Sequence, residues 1–536
     1  MKKITTLLLF CILNTTYSQW TTNINSNTLV ADTPVLDSQT IGTDTGLTYT
    51  IYTTGSELRV QLLDASGNTQ FGANGIAVNT SAQMGSYTLT RDQAVDNTGN
   101  LFIGFTATST YNGYINKITS TGTQLFGSNG INLGTAFDIK LLPLANGNLV
   151  VSWLDASYTS FINMYDTTGN AVWSAPISIT PPGTNNYSSI GELVELSDGS
   201  FITFIHGRTT SNSINSNLWA QRYTATGTAA WNSPIQISNK YTSYNTRYEA
   251  FSIGDVAYIA YSAATNYRYD SFLQRINEDG TLPWGINGSD FRTDASVNYE
   301  MTTSIAHEDN SQYIYAIAQI TDSYQSTYGE YIQKFDKDTG ARLFTDNAKQ
   351  IFPLDANFYI HHGKLQVVND HPFFLLSKGY YDSASTINLA VTLLNNNGDF
   401  VWSNETEDIA TSSTFKSDVY FTKNINNQSV ATWFETRPSV GEIRQYAQNY
   451  VIDNTSLKTT AFEENNIHVF PNPTAEYIHV DTPYQLYSAE LYDMKGRLIL
   501  ENNSTHINLQ TVESGIYILK CRFENGHTFE QKIIKS

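Results

Sequence analysis

The sequence predicts an all-β fold: a run of recurring four-stranded sheets followed by a small antiparallel sandwich. Three observations predict it. First, a turn glycine followed four residues later by a large aromatic recurs along the chain, as Gly67/Phe71, Gly122/Phe126, Gly169/Trp173, Gly227/Trp231, Gly280/Trp284, Gly340/Phe344 and Gly398/Trp402. Second, successive glycines lie 55, 47, 58, 53, 60 and 58 residues apart, a period that marks stacked supersecondary units burying their apolar faces against one another. Third, the 536 residues include 34 Tyr, 26 Phe and 34 Gly with only 15% charged. That composition suits pleated, half-buried surfaces joined by turns that need positive φ.

Residues 1–18 read as a secretory signal. Lys2 and Lys3 supply the positive end, Thr5 to Leu13 the apolar stretch, and Thr16-Tyr17-Ser18 a small-residue exit, so cleavage is expected between Ser18 and Gln19. Cys11 follows the bulky Phe10, which disfavours lipid attachment there. Cys521 is the other cysteine, so the mature chain has no intramolecular disulfide to form. No other apolar run reaches the ~18 residues of a membrane-spanning helix, and a soluble monomer with no transmembrane segment is expected. The net charge of −19 argues against nucleic acid and anionic membrane as partners, because no basic stripe can displace counterions.

Residues 190–237 show one unit strand by strand. Ile190 to Leu196 alternates apolar and polar residues, as a strand with one polar face does. Ser197-Asp198-Gly199 is a turn, and Phe201 to Ile205 is continuously apolar, as in a strand buried on both faces. A polar loop leads to Leu218–Tyr223, and the Gly227 turn to a fourth strand over Pro234–Ile237. Equivalents of the second strand recur at Thr48–Tyr52, Leu101–Phe105, Leu149–Trp153, Ala257–Tyr261, Tyr313–Ala318, Pro372–Leu376 and Ser429–Trp433. With Phe201–Ile205 these make eight, one more than the glycine–aromatic pairs.

Trp20 supplies the missing aromatic: Trp20-Thr-Thr-Asn-Ile24 echoes Phe71-Gly-Ala-Asn-Gly-Ile76, while the last unit lacks a fourth-strand ending. The N-terminal strand is therefore expected to complete the final sheet, leaving only short, protected edges. The predicted architecture is an eight-bladed β-propeller over residues 19–455, with seven blades as the alternative. The recurring aromatics are read as packing groups. A flat ring on each outer strand can lie against a neighbouring turn glycine, where no Cβ intervenes.

The run Asp166-Thr-Thr-Gly169-Asn-Ala-Val-Trp173, with Lys337-Asp-Thr-Gly340-Ala-Arg-Leu-Phe344, resembles the tryptophan-docking motif of the quinoprotein dehydrogenase propellers. The resemblance covers turns and outer strands and implies shared docking geometry. The adjacent cysteines and the calcium-and-quinone site of those enzymes have no counterpart here, so no cofactor is expected.

After Asp453 the pattern stops. Residues 456–467 read as a polar linker, and residues 468–536 as a small antiparallel sandwich. The tail carries Pro471-Asn472-Pro473, Leu491-Tyr-Asp-Met-Lys-Gly496-Arg, Gly515-Ile-Tyr517 and a final strand bearing Lys532 and Lys535. In that order it resembles the type A C-terminal sorting domain of the type IX (Por) secretion system of Bacteroidetes. The resemblance implies passage through that machinery as a partner, then release or surface attachment.

Chemistry is sparse. His361-His362 is an adjacent pair, but neighbours on a strand point to opposite faces, so no metal is expected there. Phosphate-loop, zinc-ligand and nucleophile-elbow motifs do not occur. Polar residues of the first strands would surround a propeller axis: Asp138, Glu192, Glu195, Glu249, Glu300 and His307. Paired carboxylates there could act on a glycoside, which makes an extracellular polysaccharide-degrading enzyme the alternative function. The preferred reading is a non-catalytic binding or adhesion protein with a glycan or protein ligand and no assigned catalytic residues. Loops after the second strands carry it: Ala156–Ser160, Gly207–Asn217, Ala263–Asp270, Asp322–Gly329 and Lys378–Thr386 are rich in Tyr, Ser, Thr and Asn. Asp166-Thr-Thr and Asp382-Ser-Ala also resemble short O-glycosylation signals of Bacteroidetes.

Overall fold

A computed structural model describes residues 20–21, 23–55, 57–79, 90–183, 187–210, 215–243, 248–265, 268–294, 296–380, 386–452, 467–482, 484–523 and 528–536. The expected cleavage pair Ser18/Gln19, nearly all of the expected linker and the Asp382 triplet lie outside these residues. Among the described residues the strand is the regular element throughout and no helix occurs. The chain divides into two compact units, Met1–Leu457 and Lys458–Ser536.

The first unit contains seven hydrogen-bonded sheets, here A to G. Sheet A comprises Asp37–Gly42, Thr48–Thr53, Leu58–Leu63 and Ile76–Ala77; sheet B comprises Thr90–Val95, Leu101–Thr106, Asn112–Ile118 and Ile131–Thr135. Sheet C runs Ile139–Pro143, Leu149–Leu154, Ser160–Tyr165 and Ile177–Ile179. Sheet D has eight strands, Tyr187–Glu195, Phe201–Arg208, Asn215–Tyr223 and Ile235–Ser243, then Glu249–Ile253, Val256–Thr265, Arg268–Asn277 and Ser289–Asp290. Its halves join through two residue pairs, Tyr241↔Ala264 and Thr242↔Ala263.

Sheet E is Tyr299–His307, Tyr313–Thr321, Tyr328–Asp336 and Lys349–Asp355. In sheet F, Phe358–His362 and Gln366–Val368 both pair with His371–Tyr380, followed by Asn388–Leu393 and Glu407–Ala410. Sheet G holds Lys416–Phe421, Gln428–Thr436 and Ile443–Val451, and its fourth strand is Thr28–Leu29 from the other end of the unit. Thr28 pairs with Ala447 and Leu29 with Tyr446.

The second strands form because their side chains are apolar on both faces, and both faces are covered. Every residue of Thr48–Thr53, Leu101–Thr106, Leu149–Leu154 and Phe201–Arg208 is buried. Apolar clusters fill the spaces between consecutive sheets: Ile51 and Val60 with Ile103 and Phe105 between A and B, Tyr258 and Leu273 with Phe335 between D and E, Ile317 with Phe374 and Leu376 between E and F, and Leu375 and Val391 with Trp433 between F and G. Val30, Leu63, Val430 and Ala447 cluster likewise between G and A. The first strands adjoin in the same order. Asp37–Gly42 lies beside Thr90–Val95 and also beside Lys416–Phe421.

The second unit is two sheets around one core. His468–Phe470, Tyr477–Asp481 and His506–Asn508 make a three-stranded sheet; Leu498–Asn502, Leu486–Asp493, Gly515–Phe523 and Thr528–Lys535 make a four-stranded one. Alternation sends Ile478, Val480, Leu491, Ile507, Leu519, Cys521 and Ile533 inward.

Candidate functional site

Turn chemistry fixes which end of each sheet is which. At the Gly67 turn, Asp64 Oδ1 accepts the amides of Ser66 and Asn68, while Gly67 N–H donates to Asp64 O at 2.9 Å. Gly67 itself sits at φ +86°, where a side chain costs energy, and all seven glycines of the sequence pattern share positive φ. Each meets the aromatic of the preceding unit. A Cβ added to Gly67, Gly122, Gly169, Gly227, Gly280, Gly340 or Gly398 would lie 2.7 to 3.3 Å from the ring of Trp20, Phe71, Phe126, Trp173, Trp231, Trp284 or Phe344 respectively.

Where the ring is indole, it also donates a hydrogen bond. Trp20, Trp173, Trp231 and Trp284 give Nε1–H to the carbonyls of Ala65, Ala225, Glu278 and Asp338, at 2.8 to 3.1 Å. Each of those carbonyls lies two residues before its glycine. The Trp402 ring packs against Tyr450, centroids 6.0 Å apart, in the sheet whose fourth strand, Thr28–Leu29, comes from the other end of the unit.

These contacts bring the turns between third and fourth strands to one side. Antiparallel order then places the loops between second and third strands on the opposite side. Tyr111, Tyr158, Tyr324 and Tyr380 stand on or beside such loops in sheets B, C, E and F, and their relative exposures are 56%, 39%, 88% and 67%. Behind them, aromatic pairs line the seams: Tyr111 with Phe137, Tyr158 with Tyr187, Tyr269 with Tyr299, and Tyr328 with Tyr359, at 5.6 to 6.5 Å between centroids.

The first-strand acids are engaged in another way. Glu195 accepts Ala145 N–H of sheet C through both oxygens, at 3.0 and 2.9 Å. Glu249 accepts Ser304 Oγ–H and Ile305 N–H of sheet E. Glu300 accepts Ser271 N–H of sheet D and Arg292 Nε–H, both at 2.8 Å, and burial pushes its carboxyl up to about 8. Glu192 pairs with Lys140 at 2.6 Å. Asp138 contributes its carbonyl to Leu154 N–H. His307 Nδ1 contacts Tyr313 O at 2.9 Å, and its ring stacks on Phe251.

Sequence reasoning missed further acids of the same kind. Asp92 accepts Leu141 N–H at 2.7 Å, and burial raises its carboxyl to about 6 against the pull of Lys140. Glu308 accepts Asn369 and Asp370 amides. Glu330 takes both the amide and Nδ1 of His362, the latter at 2.6 Å. His361 and His362 therefore do not act as a pair: His362 is held by sheet E, and burial lowers the basicity of His361 to about 3. No spacing rule marks these acids, since each partner sits on a different sheet.

A charged cluster at the D–E seam was also unforeseen apart from Glu300. Arg268 meets Asp270 at 2.6 Å, and Arg292 meets Asp294 at 3.2 Å. Asp290 is pushed up to about 6 by burial and by Asp270. Within this cluster Glu300 joins the two sheets through Ser271 N–H, whereas Arg268–Asp270 and Arg292–Asp294 are pairs within their own segments. Among the described residues, no group of three or more His, Cys, Asp or Glu side chains is arranged to hold a metal.

In the second unit, Asn472 joins the two ends of the tail pattern. Its Oδ1 accepts Ile534 N–H at 2.9 Å and its Nδ2 donates to Lys532 O at 2.7 Å. Thr474 continues the contact through Ile534 O and Ser536 N–H. Pro471 and Pro473, which have no N–H to offer, flank it. Gly496 turns at φ +78°, and Tyr517, in the strand opened by Gly515, donates its hydroxyl to Glu513 O. Lys532 and Lys535 lie on the final strand.

Residues 468–536 match the family of secretion system C-terminal sorting domains. Such a domain marks proteins secreted by the type IX system, which are extracellular or attached to the cell surface. The tail thus marks this chain for export by the type IX system.

No curated protein matches the chain in sequence. Among solved structures, a prolyl endopeptidase is similar over 82% of this chain and 55% of its own at 10% identity and TM-score 0.39. Prolyl oligopeptidase B from Galerina marginata is similar over 76% and 56% at 12% identity and TM-score 0.43. Drosophila Semaphorin 2a is similar over 84% and 96% at 8% identity and TM-score 0.39. The chain thus spans little more than half the length of the two peptidases. These likenesses are distant, and no activity passes from them to this chain.

Proposed function

We propose that this chain is an extracellular binding protein: an eight-bladed propeller over residues 19–455, delivered outside the cell by its sorting domain and acting without catalysis. Support for eight blades comes from the two-pair junction inside sheet D, which divides it into two four-stranded blades. Support for closure comes from Thr28–Leu29 completing sheet G and from the first strand of sheet A adjoining that of sheet G. The glycine–indole contacts fit the tryptophan-docking geometry seen in the sequence. Deleting residues 20–30 would remove both the Trp20 contact and the Thr28–Leu29 strand, and a markedly lower melting temperature is expected.

One observation carries the functional reading. Glu195, Glu249 and Glu300 accept backbone amides of neighbouring sheets, whereas tyrosines crowd the free loops. A site for acid–base work on a glycoside needs carboxyl groups facing a shared space. A binding face needs rigid, amphipathic side chains on a rigid frame. The test is a glycan and protein array run beside a reducing-sugar release assay on the mature chain. Binding without turnover is expected. Saturable turnover abolished by Glu300→Gln would instead establish a polysaccharide-degrading enzyme. Fusing residues 456–536 to a reporter tests delivery: the reporter is expected outside a type IX-competent cell, and retention in the periplasm would refute it.

A further inference from the structure

We infer that the three-stranded sheet of the second unit carries a zinc site, in which His479 and His506 bind one ion through their imidazole rings. No motif spacing marks this pair, since the two ligands come from separate strands that antiparallel pairing sets side by side.

Strand register makes the pair. Tyr477–Asp481 and His506–Asn508 run antiparallel, with Tyr477 opposite Asn508, Ile478 opposite Ile507 and His479 opposite His506. Ile478 and Ile507 are buried in the core, so alternation stands both histidines on the outer face. Directly opposed residues have Cβ atoms about 4.5–5.5 Å apart, and these two ring centroids lie 5.9 Å apart. A zinc–nitrogen bond of about 2.0–2.1 Å sets an imidazole centre roughly 3.2 Å from the ion. Two such rings then stand roughly 5–6.4 Å apart at ligand angles from tetrahedral to linear, a span that contains the observed spacing. Aromatic neighbours hold both rings, Phe470 edge-on to His479 at 5.6 Å and Tyr477 against His506 at 4.7 Å.

The ring nitrogens are available. His206, His307, His362 and His371 of the first unit each engage Nδ1 in a hydrogen bond. Among the described residues, His506 hydrogen-bonds through its backbone amide, to Ser504 Oγ, and no protein group bonds to a ring nitrogen of it or of His479. Paired imidazoles suit a borderline cation such as zinc, whereas calcium and magnesium take oxygen ligands. Two protein ligands leave the other tetrahedral positions to water, in keeping with a pair that no third His, Cys, Asp or Glu joins among the described residues. A bound ion ties together two strands that pair over three residues. It does so in a small sandwich whose cysteine, Cys521, is free, where a metal can serve as the staple that a disulfide does not supply.

Calorimetric titration of the metal-free mature chain with zinc chloride at pH 7.5 tests the inference. A saturable site in the micromolar range is expected, with none for calcium or magnesium. His479→Gln and His506→Gln should each weaken zinc binding at least tenfold, and the double variant no further, because either change breaks the same chelate. His506→Cys should keep the site, since a thiolate is also a zinc ligand. In hydrogen exchange, zinc should slow the amides of Tyr477–Asp481 and His506–Asn508 in the wild type and leave those of the glutamine variants unchanged. Zinc bound as tightly by the glutamine variants would place the ion elsewhere and overturn the inference. So would calcium or magnesium bound equally well, or no saturable binding below millimolar zinc. Loss of the site in His506→Cys as well as in His506→Gln would also overturn it, because the histidines would then act only as packing partners of Phe470 and Tyr477.

Discussion

Gly67→Ala at the Trp20 contact isolates the force that joins the start of the first unit to its first sheet. The new methyl group would stand 2.7, 2.9 and 2.9 Å from Cδ2, Cε2 and Cε3 of the Trp20 indole. Ordinary carbon–carbon contact needs about 3.5–4.0 Å, so the indole must withdraw by roughly 1 Å. Withdrawal breaks the Nε1–H bond to Ala65 O, now 3.0 Å, at about 1 kcal/mol. Alanine at φ +86° adds roughly 1–2 kcal/mol. The expected loss is about 2–3 kcal/mol before any ring exposure is counted. Gly72→Ala is the control, because φ is +72° there too but nothing lies within 4 Å of the added carbon; its loss should stop at the strain alone, roughly 1–2 kcal/mol. Calorimetry of both variants reads the difference, and hydrogen exchange should show Thr28–Leu29 loosening in the first variant alone. Equal losses in the two would refute the reasoning, since backbone strain would then account for everything.

Other expectations follow from single groups. Glu330→Ala leaves His362 buried without its partner, and a destabilisation of about 2 kcal/mol is expected in chemical denaturation, the cost of an orphaned buried polar group. Asp92 has a folded-state value of about 6 against 3.8 for the free group, so the native state holds this proton more tightly. Its contribution is full below pH 4 and is lost as pH rises through 6. The stability of the wild type relative to Asp92→Asn should therefore fall between pH 4 and pH 7 in parallel melting curves, and a constant difference would refute the assignment. Cys521 is fully buried and its thiol is pushed up to about 12; it should resist an aromatic disulfide reagent at pH 8 until denaturant is added.

What sequence makes legible here is what local chemistry decides. A glycine at positive φ, an aspartate that accepts the amides two and four residues on, and an apolar run long enough for a doubly buried strand are all written in consecutive residues. Asp64-Ala-Ser-Gly67-Asn and Leu149–Trp153 could be read for that reason. Even the distant role of Trp20 was legible, because its surroundings repeat those of Phe71. The partners of the acids were not legible, because function and scaffolding call for the same residue type. Glu195 and Glu249 stand on first strands as catalytic acids would, yet their partners are amides of other sheets, Ala145 and Ile305. Glu330 and His362 lie 32 residues apart, a spacing with no meaning until two sheets face each other.

The left-handed tyrosines, Tyr111 and Tyr158 at φ +56° and +58°, show the opposite failure. Thr-Ser-Thr-Tyr111-Asn holds no glycine, so turn rules give no reason to place Tyr111 where the backbone is strained. Within one sheet the two ends then obey different logics. At Gly122 the turn has minimised its strain, and the side chain that matters belongs to the neighbour, Phe71. At Tyr111 the turn accepts strain and holds the link into sheet C: its carbonyl accepts Ala136 N–H at 3.0 Å and its ring lies 5.6 Å from Phe137. Tyr158 repeats the arrangement one sheet on, with its carbonyl on Ser188 N–H, its ring edge-on to Tyr187 and the Arg208 guanidinium over it. Glycine at one end and tyrosine at the other thus join sheets by different means, one admitting a neighbour's ring and the other supplying its own.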